Sequence, residues 1–120
     1  MITFAKPEPI DYKYDRRSDV LYVEFASAKA ARTVKLFGPF PVLLLDLDDQ
    51  DRILGIEFAG ATRFDDAIRE QIWRSRIFHK IQVQLPNGTN DESEVSAEIL
   101  HFLKRAKDHF QSEQYGSPAF

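Results

Sequence analysis

The chain has 120 residues, 43% hydrophobic and 29% charged, enough for one globular domain with its own core and too few for two. It has no cysteine, which excludes disulfides, zinc ribbons and thiol catalysis, while ten phenylalanines supply large apolar surfaces. A formal net charge of −3 argues against broad attraction to nucleic acid or anionic membranes.

Residues 1–11 read as a leader, too polar for a secretory signal and barred from helix by Pro7 and Pro9. No apolar run approaches the length needed to span a bilayer, so a cytoplasmic protein is expected. Asp11 to Asp15 alternates, with Tyr12 and Tyr14 on one side, as a short edge strand would. After a polar turn, Val20 to Ala26 is a strand with Leu21, Val23 and Phe25 on one face and Val20, Tyr22 and Glu24 on the other. Arg32 to Phe37 resumes the alternation, and Gly38-Pro39-Phe40-Pro41 turns the chain.

Val42 to Asp48 is the most hydrophobic strand. Leu43, Leu45 and Leu47 share one face; Val42 and Leu44 lie on the other until Asp46 and Asp48 make it polar. A turn at Asp48 to Asp51 returns the chain through Arg52 to Phe58, with Leu54, Ile56 and Phe58 inward. The links are short, which predicts an antiparallel meander of four strands over residues 12–60.

The period then changes to helical over residues 64–110. Asp65 caps a helix whose apolar positions are Ile68, Ile72, Trp73 and Ile77, with Trp73 a candidate lid on the sheet. Ile77 to Leu85 fits a helix to His79 followed by an extended run, and Pro86 to Asn90 is a loop. Val95, Ile99, Phe102, Leu103, Ala106 and Phe110 form one stripe on a last helix, capped by Asp91 or Ser93. Residues 111–120 lose the stripe and read as a flexible tail. The expected fold is α+β: a four-stranded antiparallel β-meander followed by two α-helices packed on the sheet, residues 12–110 forming a single domain.

Tyr14-Asp15, then Asp19-Val20-Leu21-Tyr22-Val23, then Leu45 through Phe58 with its Gly55-Ile56-Glu57 ending, resemble the small bacterial domain-of-unknown-function family 2283. The resemblance covers about the first half of the chain. It implies a compact meander and no assigned activity, cofactor or catalytic residue; members encoded beside small toxin-like proteins hint at a protein partner. The family pattern has glycine where this chain has Asp51; that glycine would supply a left-handed turn residue, a conformation aspartate can adopt at some cost. The helical stretch after Phe64 has no counterpart in the shortest members.

The acids between Asp46 and Glu57 are the first candidates for chemistry. Asp46, Asp48, Gln50 and Glu57 follow the order of a calcium loop, yet Asp51 stands where that loop needs glycine, and the flanks alternate like strands. A solvated hairpin turn accounts for them better than a ligand or metal site at Asp46, Asp48, Asp51 and Glu57. Glu57 is placed to meet Lys35 or Arg32 across the sheet, and Gly55 to mark a bulge or a large facing side chain such as Trp73 or a phenylalanine. His79, His101 and His109 lack metal-ligand spacing, and no serine sits in a nucleophile elbow. Arg69, Arg74 and Arg76 enrich the first helical segment in positive charge, but Asp65, Asp66 and Glu70 interleave, so nucleic acid is not the expected partner. Trp73 is a candidate interface anchor.

Both faces of the central strands are partly apolar, and helices can cover one of them. The expectation is a non-enzymatic protein-interaction or regulatory module, forming a homo-oligomer, most simply a dimer, with a small protein as a possible further partner. The alternatives are a small-ligand or metal-binding protein or enzyme using Asp46 to Glu57, and a toxin–antitoxin-like association with nucleic acid through Arg69, Arg74 and Arg76. No cofactor is implied.

Overall fold

In the computed structural model, which describes residues 1–112, the alternating segments form one sheet and the 3.6-residue periods form its cover. The strands are β1 (Thr3–Phe4), β2 (Asp11–Asp15), β3 (Val20–Glu24), β4 (Arg32–Phe37), β5 (Val42–Leu47) and β6 (Arg52–Ala59). A 3-10 turn at Ala61–Arg63 leads to α1 (Asp66–Ser75), α2 (Ile77–Ile81) and α3 (Glu92–Ser112). Of the expected tail, residues 113–120 lie outside the described residues.

The strand order is β2-β3-β6-β5-β4, so the sheet is not the simple meander expected. Strands β4, β5 and β6 do run as a meander, but β6 then inserts beside β3. The link over residues 25–31 makes this possible. At roughly 3.3 Å per residue it can cover about 20 Å, more than the ~14 Å of three inter-strand spacings between β3 and β4. The result is a Greek-key arrangement.

The amino-terminal residues expected to be a leader contribute to the sheet. β1 pairs with the start of β6, and this pairing is parallel, unlike every other ladder in the sheet. Ile2 is buried and bridges Val83, with its backbone bonded to residues 82 and 84. The extended run expected after the first helical segment is therefore the partner of the amino terminus, and it directs Val83 and Leu85 inward.

Three helices form where two were expected. Asp65 caps α1 by accepting from the Ile68 amide at 2.9 Å. Arg76, in the left-handed region at φ 50°, ends α1 and separates it from the short α2. Asp91 caps α3, accepting from the Glu94 amide.

All three helices lie on one face of the sheet. Leu21, Val23 and Phe25 of the β3 segment, Leu43, Leu45 and Leu47 of β5, and Ile56 and Phe58 of β6 form a core with Ile72, Phe78, Val95, Ile99, Phe102 and Ala106. Phe25 meets Phe102 edge-on at 5.5 Å between ring centroids, and Phe58 meets Phe64 at 5.4 Å. Each such side chain contributes ~1.5–3 kcal/mol by leaving water. The expected lid is not Trp73, which is 49% exposed; Ile72, one residue earlier, takes the inward position on α1. Among the described residues, no helix is long and apolar enough to cross a membrane.

Candidate functional site

With the helices on one side, the opposite face of the sheet has no helical cover among the described residues. Period-two alternation and the registers set three rows of side chains across it. Val20, Ala59 and Val42 form the first row; Lys13, Tyr22, Glu57, Leu44 and Lys35 form the second; Asp11, Glu24, Gly55, Asp46 and Thr33 form the third. Val20, Tyr22, Val42, Leu44 and Ala59 are all only partly buried, and Phe40, 62% exposed, lies against Gly60 near the first row.

The centre of this face is organised by one absent side chain. A Cβ on Gly55 would fall 1.9 Å from the Tyr22 hydroxyl oxygen and 2.1 Å from Cζ. Glycine is therefore what lets the Tyr22 ring lie diagonally across β6. Its hydroxyl reaches β5 and donates to Asp46 Oδ2 at 2.9 Å, while Thr33 Oγ1 on β4 donates to Asp46 Oδ1 at 2.6 Å. Strands β3, β5 and β4 are thus joined across β6 by one side-chain network as well as by the ladders. A register shift adds Leu54 to β6 just before Gly55, and this extra residue brings Ile53 into the core opposite Leu47.

Burial and the Asp46 carboxylate both raise the Tyr22 pKa, so the phenol holds its proton as a donor. Burial first, and the Asp46 charge second, also raise Glu57. Glu57 makes no hydrogen bond or ion pair with any described residue, so it does not meet Lys35 or Arg32 as expected. Arg32 instead pairs with Asp51 at 2.7 Å, and Leu44 stands between Glu57 and Lys35.

The acids grouped by sequence are divided by the fold. Asp46 belongs to the tyrosine network. Asp48 closes the β5–β6 turn by accepting from the amides of Gln50 and Arg52 and from Arg52 Nε; foremost the Arg52 amide holds its carboxyl below the usual range. Asp51 sits at φ 57°, the left-handed conformation the family glycine would supply. Among the described residues, no group of three or more His, Cys, Asp or Glu is placed to hold a metal ion.

The basic candidates are divided as well. Arg74 pairs with Glu70 at 2.9 Å, and with Arg76 and Trp73 it lines a cavity of about 390 Å³ shared with Asp91 and Glu92. Arg69 lies outside that cavity and donates from Nε to the Phe64 carbonyl. These three arginines therefore do not form one basic face.

Tyr22, Thr33 and Gly55 are the residues whose joint role the sequence did not reveal. The signal was a mid-strand glycine on the same face as an aromatic in another strand, but recognising it requires knowing that β3 neighbours β6, which a simple meander would pair with β5 alone.

A sheet covered on one side and hydrogen-bonded across the other defines a small α+β protein with an open, mixed apolar and charged face. Residues 11–61 match the family described as Protein of unknown function (DUF2283), and the helical region follows that match. The matched span contains β2 through β6 and the whole open face. No curated protein and no solved structure was found to match the chain.

Proposed function

We propose that the protein is a non-enzymatic interaction module that self-associates through the open face of its sheet, most simply as a symmetric dimer. The observation that carries this reading is the one-sided helical cover. It leaves Val20, Tyr22, Val42, Leu44 and Ala59 contiguous and only partly buried on the strands most deeply embedded in the fold. A two-fold axis through this face would set each copy's apolar rows against the other's, the self-complementary contact that a closed dimer requires.

The chemistry of the face suits binding better than turnover. Both oxygens of Asp46 accept from hydroxyl donors, and Tyr22 is held protonated. No base is arranged against a nucleophile there. Tyr22 presents a rigid aromatic surface whose polar end already has its partner, a combination that favours interfaces.

Leu44→Glu tests the proposal. Leu44 lies in the middle row between Glu57 and Lys35, so the substitution puts a further charge in the face without touching the helical core. Size exclusion with light scattering should show a dimer for the parent chain and a monomer for the variant, with unchanged circular dichroism. A parent chain that elutes as a monomer would refute the reading.

A further inference from the structure

A second surface carries a different charge pattern. On the helical side, two shallow cavities of about 300 and 390 Å³ share Arg69 of α1 and Lys104 of α3. Lys107 lines the first and His101 the second, and no carboxylate lines either. In a chain with net charge −3, this is a local concentration of basic groups. The wall beneath them is apolar: Phe64 and Leu103 in one cavity, Ala97 and Leu100 in the other.

Helix geometry fixes the shape of this strip. His101, Lys104 and Lys107 recur at three-residue steps, so they follow one side of α3 over about 9 Å of its axis. Ala97 extends the groove to roughly 15 Å. Arg69 is fixed on the opposite wall because its Nε donates to the Phe64 carbonyl at 3.1 Å. Neither Lys104 nor Lys107 makes an ion pair with a described residue, unlike Arg74 and Arg105, which pair with Glu70 and Glu98.

We propose that this groove between α1 and α3 docks an acidic, amphipathic segment of a partner protein. The charge complementarity is direct: carboxylates meet Arg69, Lys104 and Lys107, while aliphatic side chains cover Leu100 and Ala97. Single-stranded nucleic acid fits less well, because it needs exposed aromatic platforms along a basic groove. The exposed tryptophan instead lines the separate cavity that contains Asp91 and Glu92, and Phe64 is buried. The proposal is independent of the sheet-face dimer, which uses the opposite side of the sheet.

The test is fluorescence anisotropy with a short fluorescein-labelled peptide of Glu-Glu-Leu repeats, using the full chain and oligo-dT as competitor. Saturable binding is expected, weakened at least about tenfold by Lys104→Glu, a difference of ~1.4 kcal/mol. Lys29→Glu makes the same change in net charge on an exposed loop and should leave affinity within about twofold. Leu44→Glu should also leave it unchanged, which separates this surface from the dimer face. Equal weakening by Lys29→Glu would reduce the effect to general electrostatics and overturn the proposal. Absence of saturable binding, or stronger binding of oligo-dT through the same lysine, would overturn it as well.

Discussion

Gly55 and Tyr22 are coupled by steric exclusion, and that coupling has a measurable size. Gly55→Ala pushes a methyl group into the Tyr22 phenol, and overpacking of this kind costs ~1–3 kcal/mol. In a Tyr22→Ala background most of that cost should vanish, so urea denaturation of the four-member cycle should give a large interaction energy. Additive losses would show that Gly55 is needed for another reason. Glu57 gives a pH-dependent counterpart. Its pKa is raised above the ordinary 4.5, so the folded protein binds a proton that the unfolded chain releases more readily. Its contribution is fully present below the ordinary pKa and is lost as pH rises through the raised value. Glu57→Gln should therefore melt above the parent at about pH 7, with the gap closing toward about pH 4. The glycine and the glutamate were both legible in the sequence as members of a motif. Their connection was not, because Tyr22 lies some thirty positions away and reaches Asp46 only through a strand pairing that local alternation does not encode.

At the scale of elements, periodicity identified most segments and failed on their neighbours. The strands from Val20 onward and the stripe of α3 follow directly from where apolar residues recur. Short links imply adjacency, but the link over residues 25–31 is long enough to let β6 come between β3 and β5. Arg76 broke the first helical segment through a left-handed residue that has no propensity signature, so α2 was not foreseen. Asp19 fastens the β2–β3 turn to the end of β6. Its carboxylate accepts from Tyr14, from the Thr62 amide and from Thr62 Oγ1, and burial with this bond pushes the Tyr14 pKa up to about 12. Asp19→Ala should cost ~2–3 kcal/mol in chemical denaturation, more than the ~1 kcal/mol expected when Asp65→Ala removes the α1 cap. Equal losses would mean that the Asp19 cluster is no more than a local cap.

For the whole molecule, the consequence is an asymmetry between two sides of one sheet. One side is closed by α1, α2 and α3, with Phe25, Phe58 and Phe78 fully buried. The other keeps partly buried aliphatic side chains beside Tyr22, whose hydroxyl donates to Asp46, and beside Glu57, which pairs with no described residue. The sequence showed apolar residues on both faces, which is the basis for proposing an association surface. Which residues compose it depended on the strand order. Sedimentation velocity of the unmodified chain over a range of concentrations tests the account most directly. Self-association through the open face predicts a species of twice the 13.9 kDa chain mass that dissociates on dilution or with Leu44→Glu. A single 13.9 kDa species at every concentration would contradict it.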